Sequence, residues 1–81
     1  MQSGKEIAHW LQSIITCLVD DPDAVAVECV TERYGLILGV QSSPEQMGQI
    51  VGKGGKIIEA LRIIAKAAAG HRRNVYVLIE E

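Results

Sequence analysis

The stretch "MGQIVGKGGKII", residues 47–58, places three glycines and a lysine in four consecutive positions, Gly52, Lys53, Gly54 and Gly55, between apolar flanks. Glycine inside a helix costs about 1 kcal/mol relative to alanine, yet both flanks have helical character. Upstream, Ser43-Pro44-Glu45-Gln46 reads as a capping box, with Ser43 at N-cap, Pro44 at N1 and Gln46 at N3. The short helix it opens is expected to reach about Ile50. Downstream, a longer helix is expected from about Gly55 to Ala69, with Gly70 as its C-cap and Arg72 and Arg73 just beyond. The stretch is therefore a tight glycine turn between two helices.

Working outward, Ser3 to Glu6 forms another capping box, and Ile7, Trp10, Leu11, Ile14, Ile15 and Leu18 follow at helical spacing. A first helix is expected from about Ser3 to Val19, stopped by Asp20-Asp21-Pro22-Asp23 because proline disfavours helix at the residue before it. Ala24 to Val30 reads as a strand with Val25, Val27 and Cys29 on one face. Thr31 to Gly35 is its hairpin connection, and Leu36, Leu38 and Val40 line one face of a second strand. Gly39 inside that strand suggests a bulge or a close backbone approach. Asn74 to Glu80 alternates Val75, Val77 and Ile79 with Tyr76, Leu78 and Glu80, a last strand. The order is α-β-β-α-α-β, and an α+β fold is expected, its three-stranded sheet covered on one face by helices.

The 81 residues are 48% hydrophobic and 22% charged, which suits one globular domain near the lower size limit for a self-sufficient core. The apolar runs are far too short for a membrane span, and no secretory signal or membrane partner is expected. Cys17 and Cys29 lie inside apolar patterns and read as small buried hydrophobes of a reducing cytoplasm. No cysteine or histidine spacing suits a metal, and no cofactor is expected. Trp10 lies on the first helix's apolar stripe and reads as core, whereas Tyr76 falls on the exposed face of the sheet.

The formal net charge of −2 argues against a polyanionic partner, but its distribution argues for one. Residues 1–42 set Lys5 and Arg33 against Glu6, Asp20, Asp21, Asp23, Glu28 and Glu32, a balance of −4. Residues 48–73 set Lys53, Lys56, Arg62, Lys66, Arg72 and Arg73 against Glu59 alone, a balance of +5. A polyanion meets that local field rather than the total.

Three phosphate-binding loops can be tested against Gly52 to Gly55. A P-loop needs four residues between its first glycine and Gly-Lys, followed by Ser or Thr. Here three residues separate Gly48 from Gly52, and Gly54 follows Lys53. A dinucleotide fingerprint needs a third glycine where Ile57 stands, and a strand before the loop. The third is the Gly-x-x-Gly loop of a K-homology (KH) domain, which joins two helices and clamps a single-stranded backbone; Gly52-Lys53-Gly54-Gly55 fits it directly. "IVGKGGKIIEALR" resembles the KH pattern further, with Ile50 and Val51 as the apolar pair before the loop and Ile58 and Leu61 as the helical hydrophobes after it. The element order resembles the type II, bacterial arrangement, with one KH domain over residues 1–81. With its "DDPDAV" turn and "SPEQMGQIVGKGGK" run, the chain is similar to the small single-domain bacterial KhpA (YlqC-like) family.

The residues give the resemblance a physical basis. Without Cβ atoms at Gly52 and Gly55, a sugar-phosphate backbone can approach the main chain closely. The loop opens onto a helix N-terminus, whose N–H groups favour a phosphate. Lys53 and Lys56 add charge where the helix dipole disfavours cations, so helix stability does not explain them. The resemblance implies an aliphatic groove beside the loop holding about four nucleotides, with Ile50, Val51, Ile58 and Leu61 as candidate walls. Arg62, Lys66, Arg72 and Arg73 are candidate peripheral phosphate contacts. On the long helix, Ile57, Leu61, Ile64 and Ala68 form one apolar stripe, Ile58, Ala65 and Ala69 a second, and Ala60, Ile63 and Ala67 a third. That exceeds what a sheet needs, and the surplus faces another helix, a groove for bases or another subunit.

The expected function is therefore non-enzymatic binding of single-stranded RNA. The resemblance implies a cytoplasmic RNA chaperone or regulator that pairs with itself or with a larger Jag-type (KhpB-like) KH protein, with links to cell division and cell shape. Two other readings are a protein-interaction module acting through the apolar long helix, with the loop only a structural turn, and a small enzyme for a phosphorylated ligand. Only three aromatic side chains, Trp10, Tyr34 and Tyr76, are present, too few for a base-stacking platform.

Overall fold

In the computed structural model, which describes residues 3–70 and 73–80, the chain runs α1 (Gly4–Thr16), β1 (Ala26–Glu32), β2 (Gly35–Gln41), α2 (Pro44–Val51), α3 (Lys56–Ala69) and β3 (Val75–Glu80). Two 3₁₀ turns, Pro22–Ala24 and Lys53–Gly55, link these elements. The expected order and α+β class are both present. β1 and β2 are antiparallel, with Glu32 opposite Gly35 across a two-residue turn. β2 and β3 are parallel, because α2 and α3 return the chain to the same end of the sheet. β2 is central, and its core-facing Leu36, Leu38 and Val40 are all buried. Against them pack Ile7, Leu11 and Ile15 of α1, Ile50 of α2, and Ile58, Leu61 and Ala65 of α3. α1 lies over β1 and α3 over β3, so the three helices form one layer on one face.

α1 begins as its sequence implies. Ser3 Oγ accepts the Glu6 N–H and the Glu6 carboxylate accepts the Ser3 N–H, both at 3.1 Å. These bonds hold the Glu6 carboxyl below its ordinary pKa. The helix stops at Thr16 rather than Val19. Ser13 and Thr16 turn their hydroxyls onto the carbonyls of His9 and Ser13, and Cys17 and Leu18 close i→i+3 bonds to Ile14 and Ile15. Such local bonding competes with the helical ladder and tightens its end. Cys17 is exposed and Cys29 only half-buried, so neither is the buried hydrophobe expected; burial still pushes the Cys29 thiol up. Trp10 is 45% exposed, on the margin of the buried stripe rather than in the core.

The hairpin connection shrinks to Arg33 and Tyr34, because β1 continues to Glu32 and β2 starts at Gly35. Gly39 makes no bulge: the register runs unbroken through Glu28, Gly39 and Leu78. Its missing side chain leaves room for that of Glu80.

Ser43 is the N-cap of α2, but no side-chain cap bond forms. Gln46 turns inward instead, at 5% exposure. Its Nε2 donates to the Asp21 carbonyl (2.8 Å) and Ser42 Oγ (2.9 Å), while its Oε1 accepts the Asp21 N–H (2.9 Å). Gln49 makes a matching but exposed pair of bonds with Asp20. α2, and the loop at its end, are thereby tied to the turn before β1. Gln46→Ala should lower the urea unfolding free energy by about 2 kcal/mol, because it strands the polar groups of Asp21. Gln49→Ala should cost no more than about 0.5 kcal/mol, since water replaces its bonds.

Candidate nucleic-acid interface

α2 ends at Val51 because the residues that follow take positive-φ conformations that favour glycine. Gly52 (φ 78°, ψ 168°), Gly54 (φ 65°, ψ 16°) and Gly55 (φ 76°, ψ 16°) all have positive φ. The Gly52 N–H reaches back to the Gly48 carbonyl (2.9 Å), and the Gly55 N–H to the Gly52 carbonyl (3.0 Å), closing the turn. α3 then starts at Lys56 with Gly55 as N-cap, and no side chain caps it. A positive dipole end therefore opens at the loop. Lys53 and Lys56 are both exposed beside it.

The three glycines differ in what they face. A Cβ on Gly52 would lie 2.6 Å from Cγ1 and 2.9 Å from Cβ of Ile57, so that glycine is required by packing inside the protein. A Cβ on Gly54 would meet nothing within 4 Å, and one on Gly55 only Ile58 Cγ2 at 3.9 Å. The open surface of the loop is therefore at Gly54 and Gly55, whereas the sequence pointed to Gly52 and Gly55.

The four expected groove residues differ in access. Ile50, Ile58 and Leu61 are core side chains at 0%, 6% and 2% exposure, and Val51 alone is half-buried. Met47, one turn before Val51 on the same face of α2, is also half-buried and lines a hollow of about 380 Å³ with Ser42, Pro44 and Glu80. The i, i+4 spacing of Met47 and Val51 was the available signal for this face.

The expected peripheral cations are engaged within the fold. Arg62 donates Nε (3.3 Å) and Nη2 (3.2 Å) to the Val77 carbonyl on the outer edge of β3, and Nη1 to Glu59 (3.1 Å). Lys66 Nζ donates to the Arg73 carbonyl, and Arg73 Nε to the Ala69 carbonyl (2.8 Å). Arg72 lies outside the described residues. The third stripe of α3 points to solvent, with Ala60 and Ala67 exposed and Ile63 69% exposed. Among the described residues no group of three or more His, Cys, Asp or Glu is placed to hold a metal, and no helix is long and apolar enough to cross a membrane.

A helix, a Gly-x-x-Gly loop and a second helix, set between parallel strands of an α-β-β-α-α-β sheet, define a type II KH domain. The model of the KhpA/KhpB KH-domain family matches residues 8–79, and the chain belongs to that family. It is 43% identical over 70 residues to RNA-binding protein KhpA of Clostridium acetobutylicum, covering 86% of this chain and 92% of the relative. It is 41% identical over 63 residues to the protein of that name from Caldanaerobacter subterraneus subsp. tengcongensis, covering 78% and 84%. The similarity to the Mycobacterium bovis RNA-binding protein KhpA is 31% over 64 residues, covering 79% and 80%.

Proposed function

We propose that this chain is a non-enzymatic, single-stranded RNA-binding protein, one KH domain over residues 1–81, which holds the RNA backbone at Gly52–Gly55. The observation that carries this reading is the pairing of an open surface at Gly54 and Gly55 with a helix N-terminus that no side chain caps, flanked by two exposed lysines. A phosphate there meets backbone N–H groups, the dipole end and both ammonium groups at once. Val51 and Met47 form the accessible wall of the groove, and Ile50, Ile58 and Leu61 support it from beneath. Arg62 ties α3 to β3 through the Val77 carbonyl. Names of the relatives support RNA as the ligand. Titration of a mixed-sequence single-stranded RNA at several salt concentrations tests the reading. Affinity should fall as salt rises, with a log–log slope of about −1 to −3 for a few released counterions. A flat salt dependence would exclude phosphate contacts as the basis of binding.

The same proposal places the protein in the cytoplasm as an RNA chaperone or regulator acting in cell division and cell shape. It also gives the exposed stripe Ala60, Ile63 and Ala67 a partner, either a second copy or a Jag-type (KhpB-like) KH protein. The support for this is that the three apolar residues Ala60, Ile63 and Ala67 are exposed together on one face of α3, Ile63 at 69%. Sedimentation should find a concentration-dependent dimer that Ile63→Glu abolishes without altering the fold. A wild-type chain that stays monomeric at high concentration contradicts the homodimer.

A further inference from the structure

We infer that the uncovered face of the sheet is a docking surface for an amphipathic, lysine- or arginine-edged α-helix of another protein. The helices cover only one face. On the other, Val30, Ile37 and Tyr76 are register neighbours across all three strands, and Leu78 lies two residues beyond Tyr76 on the same face. Val30 is 52%, Tyr76 43% and Leu78 48% exposed. Tyr34 in the hairpin turn meets Tyr76 edge-to-face, with ring centroids 5.9 Å apart, and Tyr34, Ile37, Tyr76 and Leu78 line a shallow hollow of about 250 Å³. Paired, exposed tyrosines around an apolar hollow are side chains enriched in protein interfaces.

Three observations select the occupant. Each outer edge is already engaged at one point: near the start of β1 the Val27 N–H donates to Gln12 Oε1 (3.1 Å), and in β3 the Val77 carbonyl accepts from Arg62, which hinders strand addition there. A partner laid on the face meets the apolar side chains of all three strands instead. Three strands span about 10 Å between the outer two, the width of one α-helix with its side chains, so a single helix would complete a three-layer packing. The β1 margin is acidic. Glu28 and Glu32 flank Val30 there, with Arg33 in the turn as the cation at that end, whereas the Glu80 carboxylate of β3 turns across Gly39 and accepts from Gln41 Nε2. Carboxylates repel RNA and favour a helix with a basic edge. The RNA loop and this face are distinct surfaces, so the inference does not rest on RNA binding.

The test uses the isotope-labelled full chain and two synthetic helix-forming peptides of about 18 residues, one with a leucine face edged by lysine, the other edged by glutamate. The lysine peptide should shift the amide resonances of Val30, Ile37, Tyr76 and Leu78 and bind at least about tenfold tighter than the glutamate peptide. Leu78→Lys and Tyr76→Lys should each weaken binding at least about tenfold. Both positions are exposed, and if one variant loses its folded spectrum the other decides. Absence of shifts on this face, shifts centred on α1 or α3, equal binding of both peptides, or unchanged affinity in a folded Leu78→Lys protein overturns the inference. So does a single-stranded RNA that shifts Tyr34 and Tyr76, which would give the face to nucleic acid.

Discussion

Gly52→Ala should lower the unfolding free energy by about 3 kcal/mol and the thermal midpoint by on the order of 15 °C. Two effects combine. At φ 78° and ψ 168° the backbone occupies a region open essentially to glycine alone. The added methyl would also stand 2.6 Å from Ile57 Cγ1, and the branched Ile57 is held between α2 and the core. Gly54→Ala carries only the first kind of cost, in a milder left-handed conformation with empty space around it, and should lose about 1 kcal/mol. Urea unfolding of the two variants separates these cases. Ile57→Ala in the Gly52→Ala background should restore the steric share, so the pair is non-additive. Equal losses at Gly52 and Gly54 would mean that the loop is uniformly structural, and the openness of Gly54 would lose its functional meaning.

Charge reversal in the loop should act oppositely on stability and on binding. Lys53→Glu replaces a cation at the start of α3 with an anion, which the helix dipole favours by about 0.3–1 kcal/mol. Gly54→Asp costs about 1 kcal/mol, because aspartate tolerates the left-handed conformation better than most residues, and its Cβ meets no neighbour. The double variant should therefore unfold within about 1 kcal/mol of the wild type. Its affinity for single-stranded RNA should fall at least about thirtyfold, since two negative charges now occupy the phosphate site. The salt slope should shrink by about one unit as a phosphate contact is lost. A purely structural turn has no means of producing this divergence.

The architecture was legible because its signals are local. Alternating valines and leucines mark the three strands, and the glycine loop, through its failure to match two other phosphate loops, marks the junction of α2 and α3. What escaped depends on partners remote in sequence or without a side-chain signature. Gln46 looked like a helix cap because its main partner, Asp21, 25 residues away, is brought to it only by the fold. Arg62 and Arg73 looked like surface cations because the carbonyls they bind, Val77 and Ala69, carry no mark in the sequence. Trp10 shared a stripe with Leu11 and Ile14, but the sheet covers only part of that stripe, and helical spacing does not tell which margin stays wet. Ile50, Ile58 and Leu61 illustrate a further limit: spacing put them on the helices that flank the loop, but their depth follows from packing in the core.

The most direct test is a fluorescence-anisotropy titration of a mixed-sequence single-stranded RNA with the wild type and with Gly54→Asp/Lys53→Glu, at one salt concentration and alongside urea unfolding. A loop that holds the phosphate backbone predicts tight-to-weak loss in the variant of at least about thirtyfold, with both proteins unfolding at nearly the same denaturant concentration. Equal affinities in two equally stable proteins would contradict the assignment of Gly52–Gly55 to RNA.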